Sequence, residues 1–147
     1  MTTADLAEDS LEDAMVRMRA TLDDKGQLMM IRPDTLVIPP ALEKEARILL
    51  NSQQRVGTAN NDINPYKGML NIVVWDYLGS AAGGSDTAWF LLDSSMHRLT
   101  WFNRSDRGVE GPDYDFDTKT AKWSVVVRNS VGFTDWRGVF GSKGDNS

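Results

Sequence analysis

Two consecutive prolines, Pro39 and Pro40, separate an apolar run from an amphipathic one and so fix a change of secondary structure. The residues before them, 35–38, are mostly β-branched and apolar, which is typical of a strand. The residues after them place Leu42, Ala46, Leu49 and Leu50 at the spacing of one helix face. Proline in the first turn of a helix loses no hydrogen bond. We therefore predict a strand over 35–38 and a helix that begins at Pro40.

A first helix is predicted upstream of this junction. Ser10 and Asp13 have the spacing of a capping box, and the apolar residues that follow return to one helical face (Leu11, Ala14, Met15, Met18 and Leu22). Gly26 suits the left-handed residue that ends a helix. Residues 27–31 are then predicted to form a short strand, and 32–34 a turn.

The rest of the chain is predicted to be mostly strands. Residues 70–75 are strongly β-prone and predict an interior strand. Two more strands, 87–93 and 96–103, are predicted to form a hairpin joined at Ser94-Ser95. Residues 104–112 are predicted as a charged loop, and residues 121–140 as a long strand that bends at its glycines. The predicted fold class is α+β, with a mixed sheet and two N-proximal helices, in one domain over residues 10–140 between a flexible lead-in, 1–9, and a flexible tail, 141–147.

Composition restricts the classes of partner. The chain has 147 residues, no cysteine and a net charge of −5. The absence of cysteine excludes disulfides and thiolate metal sites, and the acidic balance argues against a protein that grips nucleic acid through a basic face. The apolar runs are too short to span a bilayer. We therefore predict no specific nucleic-acid partner and no membrane partner.

The residues that could support chemistry do not form a recognisable site. His97 is the one histidine, and no Gly-x-Ser-x-Gly elbow is present. Asp113, Asp115 and Asp117 alternate as in a calcium loop, but the residues that follow lack that loop's glycine and its final glutamate. We predict no catalytic, cofactor-binding or metal-binding residues, and no enzyme activity. The alternatives are a small accessory or adaptor binding module and, less favoured, a hydrolase that uses Asp113 or Asp115.

The polar segment 52–68 is a long connection without periodicity, which is typical of a functional or mobile loop. Its residues Asn60, Asn61, Asp62, Asn64 and Tyr66 are candidates for contacts between subunits, although a merely solvated loop is an equally good interpretation. Trp75, which ends the apolar strand, is a further candidate. The other four tryptophans lie in strand patterns beside aliphatic residues, so we interpret them as core or interface residues.

The order of these segments resembles the C-terminal half of the major capsid proteins of Mu-like phages and prophages. The resemblance is carried by residues 28–40, which read Leu-Met-Met-Ile-Arg-Pro-Asp-Thr-Leu-Val-Ile-Pro-Pro, and by Asn64-Pro65-Tyr66-Lys67-Gly68 before the strand that follows. Trp89-Phe90-Leu91-Leu92-Asp93 and the closing Asp135-Trp136-Arg137-Gly138 are similar to later parts of the same family. The similarity covers residues 10–140.

This resemblance implies the Hong Kong 97 capsid fold, with an axial domain and the returning strand of a peripheral domain. It implies a structural subunit of an icosahedral shell, found in the virion and, before assembly, in the cytoplasm of the bacterial host. The expected partners are copies of itself and an N-terminal capsid half, with scaffold or head-maturation proteins as further partners. The resemblance implies no cofactor.

Overall fold

A computed structural model describes residues 2–55 and 62–145, apart from the side chains of residues 105–107. The chain divides into two compact units, Met1–His97 with Trp136–Ser147, and Arg98–Asp135. The first unit contains the helices and a four-stranded sheet, and the second is a two-stranded ribbon. None of the described helices has the length and apolar character needed to cross a membrane.

Helix α1 spans Glu8–Arg19 and packs on the core through Leu11, Ala14, Met15 and Met18, as their spacing predicts. Acidic residues lie in its first turn and basic residues in its last, so the charges at both ends interact favourably with the helix dipole. The helix begins two residues before the predicted start. Ser10 lies in the first turn, where its side-chain oxygen accepts a hydrogen bond from the backbone N–H of Ala7 and so helps to cap the helix.

Strand β1 spans Thr35–Ile38, and Pro40–Leu42 forms a short 3-10 turn that leads into helix α2, Glu43–Asn51. The strand, the proline junction and the helix are confirmed. Pro39 is in the extended conformation, and the missing N–H of Pro40 falls in the first turn, where no intrahelical bond is lost. Residues 27–31, however, form no strand, so that prediction was wrong. In this segment Leu28 makes a single bridge to Leu22.

The sheet has the order β2-β1-β3-β6, with β2 at Asn71–Val74, β3 at Trp89–Leu92 and β6 at Val139–Ser142. Strands β1 and β2 are parallel, and the other pairs are antiparallel, so the predicted mixed sheet is confirmed. The helices and the sheet enclose one core, which includes Leu36, Ile38, Trp89 and Leu91. Strand β2 lies at the edge of the sheet, which corrects its predicted interior position.

The ribbon consists of β4, Leu99–Tyr114, and β5, Ala121–Phe133, paired antiparallel. Residues 104–112 were predicted as a loop but belong to β4, which absorbs three register irregularities while β5 remains regular. The predicted hairpin of 87–93 with 96–103 is wrong, because β3 pairs with β1 and β6 instead. The predicted long strand over 121–140 is two strands, β5 and β6, which belong to different sheets.

A buried carboxylate explains why β3 does not continue into a hairpin. The side chain of Asp93 is 3% exposed and accepts hydrogen bonds from the backbone N–H groups of Ser95 and Met96, so the chain turns immediately after the strand. Its second oxygen accepts the N–H of Arg32 at 2.7 Å. In return, Asp34 accepts hydrogen bonds from the backbone N–H and the hydroxyl of Ser94. The two aspartates thus join the start of β1 to the end of β3.

Candidate subunit-contact surfaces

The predicted contact loop is anchored to the first unit at both of its ends. Two short extended pieces face each other, with Arg55 N–H donating to the carbonyl of Asp62 at 2.8 Å and Gln54 bridging Ile63. Asn60 and Asn61, two of the predicted contact residues, lie outside the described residues. Asp62 is exposed, as a contact residue requires. The neighbouring Ile63 is 85% exposed and was not singled out from the sequence.

Asn64 lies inside the loop and not on its surface. Its side chain is 6% exposed, and its amide donates to the carbonyls of Leu49, at 2.7 Å, and Ser52, at 3.2 Å. Its side-chain oxygen accepts the N–H of Tyr66 at 2.9 Å. Asn64 therefore holds the loop against the end of α2, and any role in subunit contacts is indirect. The sequence shows that a polar residue, Asn64, precedes Pro65, but only the structure shows that its side chain is buried.

Tyr66 is half-buried against the core, and its hydroxyl is hydrogen-bonded to Glu12 on α1. Burial raises the pKa of Tyr66 above its ordinary value, and the Glu12 carboxylate raises it further. Arg55 makes a second link to the same helix, with its Nε 2.9 Å from the Glu8 carboxylate. The hydrogen bond to that carboxylate and the charge of the carboxylate raise the pKa of Arg55. The loop is therefore fastened to α1 by an aromatic residue and an ion pair.

Trp75 follows the edge strand β2 and is 54% exposed. Val73, two residues earlier on the outward face of β2, is 39% exposed, and two apolar residues just outside the strand, Met69 and Tyr77, are 45% and 76% exposed. The alternate residues Ile72 and Val74 pack on the core, as the two-residue period of a strand requires. We call Met69, Val73, Trp75 and Tyr77 the edge surface. The sequence indicated Trp75 but not the other three residues.

The two edges of the sheet differ. The outer side of β6 is covered by the start of the chain, because Thr2 N–H donates to the carbonyl of Gly141 and Lys143 N–H donates to the carbonyl of Thr2. Strand β2 ends the order at the other side. Edge strands carry backbone donors and acceptors that can pair with another chain. The first unit therefore has one covered edge and one edge that is bordered by exposed aromatic residues.

The residues considered for catalysis lie in the turn after β3 and in the ribbon. His97 is half-buried, and its backbone N–H donates to the carbonyl of Asp93. Asp113 lies in β4 across from Lys122. Asp115 begins the turn of the ribbon, where a hydrogen bond from the Thr118 side chain is the main cause that lowers the pKa of its carboxyl, with the N–H of Asp117 next. Among the described residues, no three histidine, aspartate or glutamate side chains converge in a group that could hold a metal ion.

Comparison with known proteins decides the family. The family model described as phage capsid protein matches residues 1–142. The chain belongs to the phage capsid protein family. The major capsid protein of Escherichia phage Mu is 36% identical over 74 residues, which are 50% of this chain and 24% of the Mu protein. No solved structure matches the chain.

The aligned part of this capsid-family chain spans about a quarter of the length of its Mu relative. Family and relative together confirm the sequence-based resemblance to Mu-like major capsid proteins. Both the family and the relative are described as capsid proteins, in agreement with the sequence analysis, and neither favours the adaptor module or the hydrolase.

Proposed function

We propose that this chain is a structural subunit of a tailed-phage or prophage shell, in which copies pack side by side around the capsomer axes. The observation that carries the proposal is the family match, which extends over residues 1–142. In the virion the chain acts through the shape and chemistry of its flanks. Before assembly it resides in the cytoplasm of the bacterial host.

In this proposal the first unit corresponds to the axial domain of the Hong Kong 97 capsid fold, and the ribbon to the returning part of the peripheral domain. The unequal edges of the first unit support the proposal. A ring that closes by head-to-tail packing needs two different surfaces on each subunit, one for each neighbour. The edge at β2, beyond which no further described strand pairs, and the covered edge beside β6 are such a pair.

The proposed contacts are the edge surface around Trp75 and the exposed part of the loop at Asp62, with Asn60 and Asn61 as further candidates. Trp75 contributes apolar area, and aromatic residues are enriched at the centres of protein interfaces. Asp62 contributes a polar group that tolerates more than one packing angle. Asn64 and Tyr66 support this surface from within by holding the loop on α2 and α1.

The proposed partners are copies of the chain and an N-terminal capsid half, with scaffold and head-maturation proteins acting during assembly. Coexpression with the upstream half of a Mu-like major capsid protein tests this directly. The expected products are capsomer-sized or shell-like particles, seen by size-exclusion chromatography and negative-stain electron microscopy. Two halves that never associate would contradict the capsid role.

A pair of matched variants tests the contact surface in the same experiment. Trp75→Lys places a charge on the edge surface, and Val16→Lys places one at a similarly exposed position on α1, where the wild-type residue is 59% exposed. We expect Trp75→Lys to abolish particles while Val16→Lys leaves them intact. Equal yields from the two variants would remove the edge surface from the proposal without affecting the family assignment.

A further inference from the structure

An extended segment near the start of the chain lies along the outer side of β6 as an added strand. Thr2 forms a parallel bridge with Ser142. The N–H of Thr2 donates to the carbonyl of Gly141 at 3.3 Å, and its carbonyl accepts the N–H of Lys143 at 2.9 Å. Side chains along residues 2–5 alternate between half-buried and exposed, as in a strand. We call residues 2–5 the strap.

Two buried side chains of the sheet hold the middle of the strap. Both donate to the carbonyl of Ala4, the hydroxyl of Ser142 at 2.6 Å and the indole N–H of Trp89 at 3.0 Å. Ser142 is 1% exposed and Trp89 is fully buried, so both donors need a partner within the protein. The side chains of the strap itself are small or polar and bury little apolar area. Hydrogen bonds therefore hold the strap in place.

Strand β6 is held on its inner side by contacts that do not involve the strap. It pairs with β3, and the N–H of Asp93 donates to the carbonyl of Gly138, just before β6, at 3.0 Å. Beyond the strand, the hydroxyl of Thr87 donates to the carbonyl of Lys143 at 2.9 Å. The backbone at Gly144 approaches so closely that a Cβ there would lie 2.0 Å from the carbonyl oxygen of Thr87. These contacts keep β6 in place when the strap is detached.

The other end of the strap has a fixed point at the start of α1. The hydroxyl of Ser10 donates to the carbonyl of Asp5 at 2.5 Å. The next residue, Leu6, packs against the core, and α1 is buried along one face. A detachment that starts at Thr2 is therefore expected to stop at Asp5 and to leave the helix on the core.

We propose that the strap detaches and rebinds as a unit while β6 stays paired with β3, so that the strap controls the exposure of this sheet edge. Each hydrogen bond shifts such an equilibrium about 2- to 12-fold, so the four described bonds favour the closed strap on the order of 10²–10³-fold. Folded domains are favoured over the unfolded chain by a factor of about 10⁴ or more. The strap therefore opens far more often than the sheet unfolds.

The open state exposes the carbonyl of Gly141 and the N–H of Lys143, the kind of backbone groups through which an edge strand pairs. The closed state covers the same groups with residues of the chain itself. The proposal rests on contacts within this chain and not on its role in a capsid, so the two can fail separately.

Hydrogen exchange at two backbone amides on opposite sides of β6 tests the proposal. The N–H of Lys143 faces the strap, whereas the N–H of Asp93 is bonded on the inner side. After correction for intrinsic rates, we expect Lys143 to exchange at least ~10-fold faster than Asp93 in the wild-type chain, measured by NMR. Low concentrations of urea should leave the exchange of Lys143 unchanged, because little surface is exposed when the strap opens. They should accelerate the exchange of Asp93, which requires a larger unfolding.

Two proline variants provide a matched test, since both place the same ring in the strap. Thr2→Pro removes the N–H that donates to Gly141, whereas Thr3 takes part in none of the described bonds between the strap and β6. Thr2→Pro should speed the exchange of Lys143 at least ~3-fold and change that of Asp93 less than about twofold. Thr3→Pro should change both rates less than about twofold.

Equal protection and equal urea dependence of Lys143 and Asp93 in the wild-type chain would overturn the proposal, because the strap would then open only when the sheet unfolds. Equal effects of the two proline variants on Lys143 would overturn it as well. The first of these outcomes is read from the wild-type chain and does not depend on how a variant folds.

Discussion

Replacement of Asp93 by asparagine tests whether the buried carboxylate holds β3 to the segment before β1. One oxygen of Asp93 accepts the N–H of Ser95 at 2.9 Å, its hydroxyl at 2.6 Å and the N–H of Met96 at 3.2 Å, and the other accepts the N–H of Arg32 at 2.7 Å. Asparagine has one acceptor oxygen. If that oxygen serves the turn, its amide group faces the N–H of Arg32, and one hydrogen bond to a charged group is lost.

Such a bond contributes about 1.5–3 kcal/mol, so Asp93→Asn should lower the free energy of unfolding by about 2.5 kcal/mol. For a chain of this size the melting temperature should fall by roughly 5–10 °C. Urea unfolding followed by circular dichroism measures the difference. The control is Asp13→Asn, a change on the exposed side of α1. The reasoning fails if the two variants unfold at the same urea concentration.

The same carboxylate makes stability depend on pH. Burial raises the pKa of Asp93, but the hydrogen bonds from Ser95, Arg32 and Met96 outweigh it, so the pKa lies below its ordinary value. A lowered pKa in the folded state means that this stabilisation is complete above the unfolded-state pKa of about 3.9 and is lost as the pH falls through the folded-state value. Wild-type stability should therefore drop more steeply below pH ~4 than that of Asp93→Asn, measured by urea unfolding at each pH.

Three further changes probe the core and the loop anchors by urea unfolding. Leu36→Ala removes a fully buried side chain of β1 and should cost about 3 kcal/mol; a loss below ~1 kcal/mol would mean that the core has collapsed around the gap. Trp89→Phe removes the indole N–H that donates to the carbonyl of Ala4 at 3.0 Å and should cost about 1–2 kcal/mol; an unchanged unfolding midpoint would show that this bond contributes nothing. Arg55→Ala breaks a partly exposed ion pair with Glu8 and should cost less than ~1 kcal/mol, with the loss shrinking at high salt; a larger, salt-independent loss would contradict that interpretation.

Local patterns determined the first third of the described fold. The spacing of Leu11, Ala14, Met15 and Met18 predicted the buried side of α1, and the prolines at 39 and 40 fixed the boundary between β1 and α2. These features depend on neighbours within a few residues, which the sequence displays directly. The order of such segments was also sufficient to indicate the capsid family.

The partners of the strands were decided by tertiary structure. The pattern of residues 89–92 predicts a strand, but whether it pairs with the next segment or with β1 depends on how Asp93 turns the chain after burial. Strand β2 reaches the sheet edge by pairing in parallel with β1 across a connection of 32 residues, 39–70, which is a long-range contact that the local pattern does not display. The strand character of 104–112 is set by a cross-strand register with three irregularities, because charged and glycine residues alone favour a loop.

The candidate contact surfaces also were predicted in part from the sequence and in part only from the tertiary structure. The sequence by itself determined that Trp75 and the polar loop 52–68 do not belong to the buried faces of the two helices. Neither follows the helical spacing of apolar residues that marks those faces. Only the tertiary structure decided that Asn64 is buried, that Met69, Val73 and Tyr77 are exposed near Trp75, and that apolar residues of β4 and β5, such as Val109 and Val125, lie opposite each other. Local periodicity can be read from neighbouring residues. Which residues share a face of a sheet depends on the register between distant strands, and a shift of one residue moves every side chain of a strand to the opposite face.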